Sequence, residues 1–95
     1  MKYYFVYIVQ CSDKSYYTGV TSNLKRRLNE HNSGLYNGYT SKRLPVNLIY
    51  SSRFTDINEA IRAEKQIKGW SRAKKEALIK GDFESLIKLS KSKKI

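Results

Sequence analysis

Ninety-five residues make one domain with a single modest core, too short for separate recognition and catalytic domains. Nineteen Lys and Arg against eight Asp and Glu give a net charge of +11, which points to a polyanionic partner, nucleic acid first, with an ordinary solvated basic surface as the plain alternative. The lone Cys11 excludes an intrachain disulfide, Cys/His pairs at zinc spacing are absent, and no apolar run is long enough to cross a bilayer, so a cytoplasmic protein without a membrane anchor is expected.

The stretch from Tyr3 to Gln10 is rich in aromatic and β-branched residues, and both of its alternating sets are apolar. That pattern predicts a central strand covered on both faces. Turn formers from Cys11 to Ser15 interrupt it, and Tyr16 to Thr21 resumes it, which predicts a β-hairpin with Tyr7 and Tyr17 within one residue of facing each other. Gly19 suits a point where backbone comes close to another group. Cys11 reads as a small core or hairpin residue rather than a nucleophile, because no base partner is at hand.

A helix is predicted next, with Thr21 or Ser22 as its N-cap, Leu24 and Leu28 on its buried stripe, and Asn32-Ser33-Gly34 as its end. Arg27 and His31 are four residues apart and share a helix face that borders the core without sitting in it. Gly34 to Leu44 reads as a loop carrying Lys42 and Arg43, and Pro45 opens a third strand, Val46 to Ser52.

Thr55 or Asp56 should cap a second helix whose apolar stripe is Ile57, Ala60, Ile61 and Ile67. Glu64 falls on that stripe, and an inward carboxylate needs a partner, either a metal ion or a cation in a structural ion pair. Gly69 and Trp70 break this helix, Ser71 caps a short one through Ile79, and Asp82 caps another carrying Phe83, Leu86, Ile87 and Leu89. Trp70 reads as a core plug with base stacking as the alternative, and Ser90 to Lys94 should fray as a flexible basic tail.

These residues together resemble the GIY-YIG nuclease superfamily over residues 3 to about 80, most closely its small stand-alone bacterial members. The first motif stands as Phe5-Val6-Tyr7, keeping the tyrosine, and the second as Tyr17-Thr18-Gly19, with only its middle residue changed. The runs Ala63-Glu64-Lys65-Gln66-Ile67-Lys68 and Ser71-Arg72-Ala73-Lys74-Lys75 resemble a second signature of those members. The resemblance implies a catalytic arginine at Arg27, a histidine at His31 and a metal-binding glutamate at Glu64. The asparagine that some superfamily members use near the C-terminal end has no clear equivalent.

The expected fold is α/β (α+β): a small three-stranded, mainly antiparallel sheet flanked by helices, in the order ββαβ followed by helices. The expected function is a metal-dependent DNA endonuclease of repair or recombination type, structure-selective or weakly sequence-specific. A non-catalytic nucleic-acid-binding module on the same scaffold is the alternative. Hydrolysis of a phosphodiester needs an activated water, charge stabilisation on phosphate and help for the leaving oxygen. Tyr7 is the expected general base with Tyr17 and His31 assisting, the roles of Tyr7 and His31 being exchangeable; Arg27 contacts phosphate, and Glu64 holds one Mg²⁺ or Mn²⁺. A packing role is the alternative for Tyr17, and simple phosphate contact for Arg27. Lys25, Arg26, Arg27, Lys42 and Arg43 are the expected nucleic-acid contacts. Oligomeric state is left open, with a monomer sufficient for the site.

Overall fold

A computed structural model describes residues 2–35 and 38–91. Three antiparallel strands, β1 (Tyr4–Gln10), β2 (Tyr16–Thr21) and β3 (Asn47–Phe54), form one sheet in the order β2-β1-β3. Helices α1 (Leu24–Asn32), α2 (Ile57–Lys68), α3 (Arg72–Lys80) and α4 (Phe83–Lys91) complete the fold. The ββαβ order followed by helices is the expected one. It includes a short 3₁₀ helix, Tyr39–Lys42, inside the stretch expected to be plain loop.

The central strand is apolar on both faces for the reason its sequence suggests. Val6, Tyr7, Ile8 and Val9 are all fully buried. Val6 and Ile8 pack with Ala60 and Ile67 of α2, while Tyr7 and Val9 face the opposite way, with Val46, Leu24 and Leu28. Two-sided burial of β1 thus divides the molecule into an α2 side, which is ordinary core, and an α1 side, which carries polar chemistry. Trp70 packs against the α2-side core, as a plug rather than a free platform.

The hairpin register differs from expectation. Tyr7 pairs with Gly19 and Val9 with Tyr17, so the two tyrosines are two positions out of register on the same face. The loop sets this offset: Cys11 N–H donates to Ser15 O at 2.8 Å, which closes the turn and places Gln10 against Tyr16. Lys14 takes a left-handed φ of 73° there.

Helix ends follow their capping residues, with one correction. Asn23, not Thr21 or Ser22, is the N-cap of α1, its side chain accepting the Arg26 N–H at 3.0 Å. Thr21 acts one step earlier, its hydroxyl accepting the Asn23 N–H at 3.1 Å. Asp56 caps α2, Ser71 caps α3, and Asp82 accepts from Ser85 at the start of α4. Strand β3 begins later than predicted because Val46 is claimed from outside the sheet: Asn32 Oδ1 accepts its N–H at 2.8 Å, and Asn32 Nδ2 donates to its carbonyl at 3.2 Å. Of the expected tail, Ser90 and Lys91 form the last turn of α4, and the remainder lies outside the described residues.

Candidate active site

Tyr7 projects from β1 toward α1, and its hydroxyl lies 3.0 Å from His31 Nε2. Arg27, one turn before His31 on the same helix, donates through Nη1 to the same oxygen at 3.4 Å. The four-residue spacing on α1 therefore aims both side chains at one atom. Tyr17 closes the group: its ring is 5.6 Å from the His31 ring and 6.4 Å from that of Tyr7, centroid to centroid. Four of the five expected site residues converge.

His31 does not border the core as expected; it is fully buried, as is Tyr7. The reason is a covering element that the loop sequence did not announce. Thr40, on the 3₁₀ helix and also fully buried, lies with its hydroxyl 2.7 Å from His31 Nδ1, so both ring nitrogens are engaged. Tyr39 beside it stacks on Tyr17 at 6.2 Å and an interplanar angle of 24°. Burial, and after it the positive charge of Arg27, push the His31 pKa below the usual histidine range, so the ring is neutral at physiological pH.

Arg43 anchors this cover. Its Nε donates to Asp13 Oδ2 at 3.0 Å, its Nη1 donates to the Tyr39 carbonyl at 2.6 Å, and its guanidinium sits 4.0 Å from the Tyr39 ring centroid. The assignment of Arg43 to nucleic-acid contact is thus joined by a structural role, clasping the hairpin loop to the 3₁₀ helix. Lys25, Arg26 and Lys42 are exposed. Arg26 reaches Glu30 only at 3.8 Å, a surface pair of little energetic weight, whereas Arg27, with a side chain 24% exposed, stands 3.4 Å from the same carboxylate.

Glu64 comes from the other side of the sheet. It is buried on α2, and Oε2 accepts from Lys68 Nζ at 2.8 Å. The sequence left a metal and an ion pair open, and the ion pair is present. Lys68 in turn lies 5.8 Å from the Tyr17 ring centroid, so Glu64 connects to the aromatic group through Lys68 and Tyr17. Among the described residues no cluster of three or more His, Cys, Asp or Glu side chains stands ready to hold a metal by itself. Cys11 is buried with its thiol pushed up in pKa chiefly by burial, which keeps it out of nucleophilic chemistry.

The family model described as the GIY-YIG catalytic domain matches residues 3–77. The chain belongs to the GIY-YIG family. A UPF0213 protein of Syntrophus aciditrophicus is 46% identical over 86% of this chain and 95% of that protein. A UPF0213 protein of Halobacterium salinarum is 49% identical over 77% and 95% respectively. Two solution NMR structures share the fold. The UPF0213 protein from Bacillus halodurans has a TM-score of 0.55 and 41% identity over 82% of this chain and 83% of that one. A protein from E. faecalis has a TM-score of 0.61 and 39% identity over 87% and 88%. The GIY-YIG domain is a nuclease-type domain, and the tyrosine, arginine and histidine that the resemblance singles out are the ones this structure gathers around Tyr7 Oη.

Two residues of the site were not read from the sequence. Thr40 and Tyr39 are ordinary loop types, and no periodicity marks them. Only the clustering of Tyr39 and Thr40 just ahead of two basic residues, in a loop long for so small a domain, offered a signal.

Proposed function

We propose that this chain is a divalent-metal-dependent endonuclease that hydrolyses phosphodiester bonds in DNA, in the service of repair or recombination. The observation that carries the reading is the Tyr7 hydroxyl held between a neutral imidazole and a guanidinium. A phenol donating to His31 Nε2 can pass its proton to the ring as it takes one from an attacking water. The water oxygen then bonds to phosphorus, the bond to the 3′ oxygen breaks with its electron pair going to that oxygen, which takes a proton from solvent, and His31 holds the transferred proton. The low proton affinity of the buried ring favours its release afterwards.

Arg27 serves the same step from the other side. Its guanidinium supports charge on the Tyr7 oxygen and, as the more open of the pair, can also bond a non-bridging phosphate oxygen. Tyr7 and His31 are fully buried while Arg27 and Tyr17 are partly exposed, so a substrate would meet Arg27 and Tyr17 first.

Glu64 fits a shared metal rather than a protein cage. Magnesium commonly binds through one or two carboxylates, with water and substrate phosphate completing its shell; one buried carboxylate suffices for that, and Lys68 Nζ is the cation it must share or release. A Mg²⁺ or Mn²⁺ held there would offset negative charge on the leaving 3′ oxygen.

The Glu64–Lys68 pair also favours a second reading, a non-catalytic nucleic-acid-binding module in which the carboxylate is only structural. Both readings bind DNA as a monomer with affinity that falls steeply with salt, through Lys25, Arg26 and Lys42. Incubation of the protein with duplex, single-stranded and branched DNA and with RNA, in Mg²⁺, Mn²⁺ or chelator, separates them. Metal-dependent cutting of DNA is the expected result. Binding without cutting in every metal would leave the module reading standing.

A further inference from the structure

The buried hydroxyl of Thr40 has no part in the scheme above, yet it occupies the one ring nitrogen of His31 that Tyr7 does not. We infer that Thr40 is a positioning residue that fixes His31 in the neutral form protonated on Nδ1, leaving the Nε2 lone pair for the Tyr7 hydroxyl. The catalytic consequence rests on the nuclease reading, whereas the form of the ring does not.

The two hydrogen bonds admit two arrangements. Either Tyr7 donates to Nε2 and Nδ1–H donates to Thr40, or Thr40 donates to Nδ1 and Nε2–H donates to Tyr7. Acidity decides between them. A phenol is far more acidic than an alkyl alcohol and is therefore the stronger donor to an imidazole lone pair, so Tyr7 takes the lone pair and Thr40 is left to accept the N–H. Arg27 completes the arrangement by donating to the Tyr7 oxygen, whose own proton is then directed at His31. The proton on one ring nitrogen is set by the partner of the other.

The fold holds Thr40 where this requires. Its 3₁₀ helix is fixed at both flanks: Tyr39 stacks on Tyr17, and Arg43 N–H donates to the Thr40 carbonyl at 3.0 Å while the Arg43 side chain is clasped by Asp13. Thr40 cannot swing out without parting those contacts. The cover is thereby a working wall of the site.

The chain has one histidine, so isotope labelling of histidine nitrogen reports on His31 alone. Proton–nitrogen correlation spectra of the wild-type protein, without DNA or metal, should show a single neutral ring with its proton on Nδ1. A ring protonated on Nε2 instead would overturn the inference. Thr40→Val keeps the shape and removes the hydroxyl; it should populate the Nε2–H form and lower kcat by about tenfold or more with KM little changed. Thr40→Ser should restore both the ring form and the rate. Thr40→Val with an unaltered ring and full kcat would refute the assignment, and if that variant fails to fold, the wild-type spectrum alone decides. A wild-type protein that cuts no nucleic acid refutes the nuclease reading separately, because the ring is read in the absence of substrate.

Discussion

Gly19 and Tyr7 face each other across β2 and β1, and the Tyr7 hydroxyl fills the space where any other residue would carry its Cβ, at 2.5 Å from that atom. The glycine therefore lets the phenol lie flat along the neighbouring strand and reach His31. Gly19→Ala forces the ring to move, since three of its atoms would come within 2.9 Å of the new methyl. A destabilisation of about 1–3 kcal/mol is expected, with a loss of cleavage larger than the stability change explains. Thermal melts together with the nuclease assay check this; unchanged melting and activity would show that the ring has another place to go.

Tyr7→Phe tests the hydroxyl alone. Cleavage should fall roughly 10²-fold or more, and stability by about 1–3 kcal/mol, because the buried hydrogen bond between Tyr7 and His31 is lost. Full activity in Tyr7→Phe beside a dead His31→Ala would transfer the general-base role to the histidine.

Glu64→Ala should abolish cleavage while leaving DNA affinity within a few-fold, since it removes the carboxylate and no phosphate-facing cation. The melting temperature of the wild-type protein should rise with Mn²⁺, and that of the variant should not. A fully active Glu64→Ala would confine the carboxylate to its ion pair with Lys68.

Acid should weaken the fold through His31. Burial holds the folded-state pKa of this ring below its usual value near 6.5. In the window from about pH 6.5 down to that lowered value, the unfolded chain binds a proton that the folded chain refuses, so stability falls as pH falls and is fully present above about 6.5. Denaturant titrations of the wild type and His31→Gln between pH 5 and pH 8 should show the wild type losing more. Parallel curves would mean that the ring accepts a proton where it stands.

Thr18 offers a prediction of opposite sign. Its hydroxyl is buried and has no hydrogen-bond partner among the described residues, in the position where the motif Tyr-Ile-Gly would carry isoleucine. Thr18→Val preserves shape and removes the unsatisfied group, so the protein should gain on the order of 1 kcal/mol. A lower melting temperature would reveal a hydrogen bond that this hydroxyl makes in solution.

The strands, the helix order and the central burial of β1 were legible because they rest on local rules: alternation, turn formers and capping residues whose effects reach only a few positions. The family motifs then marked Tyr7, Tyr17, Arg27 and His31 as one group. What local rules could not supply was long-range covering. His31 looks peripheral on a helical projection of α1, and is interior because the Tyr7 and Tyr17 rings and Thr40, nine residues on, close around it. The facing of the tyrosines has a related cause, since hydrogen bonds within the hairpin loop, among them Cys11 N–H to Ser15 O and Lys14 N–H to Cys11 O, go with the register that sets Gln10 against Tyr16.

Tyr7 is counted both among the fully buried side chains that hold the sheet to α1 and as the oxygen around which the polar groups gather. Packing and chemistry are thus not separable at this position, while Arg27 and Tyr17 sit nearer the surface. In a library of random variants screened for folding alone, position 7 should already be depleted before any requirement for cutting is imposed. Positions 17 and 27 should thin out only under the second screen. Position 7 thus answers to both demands at once, and the outer positions answer mainly to the second.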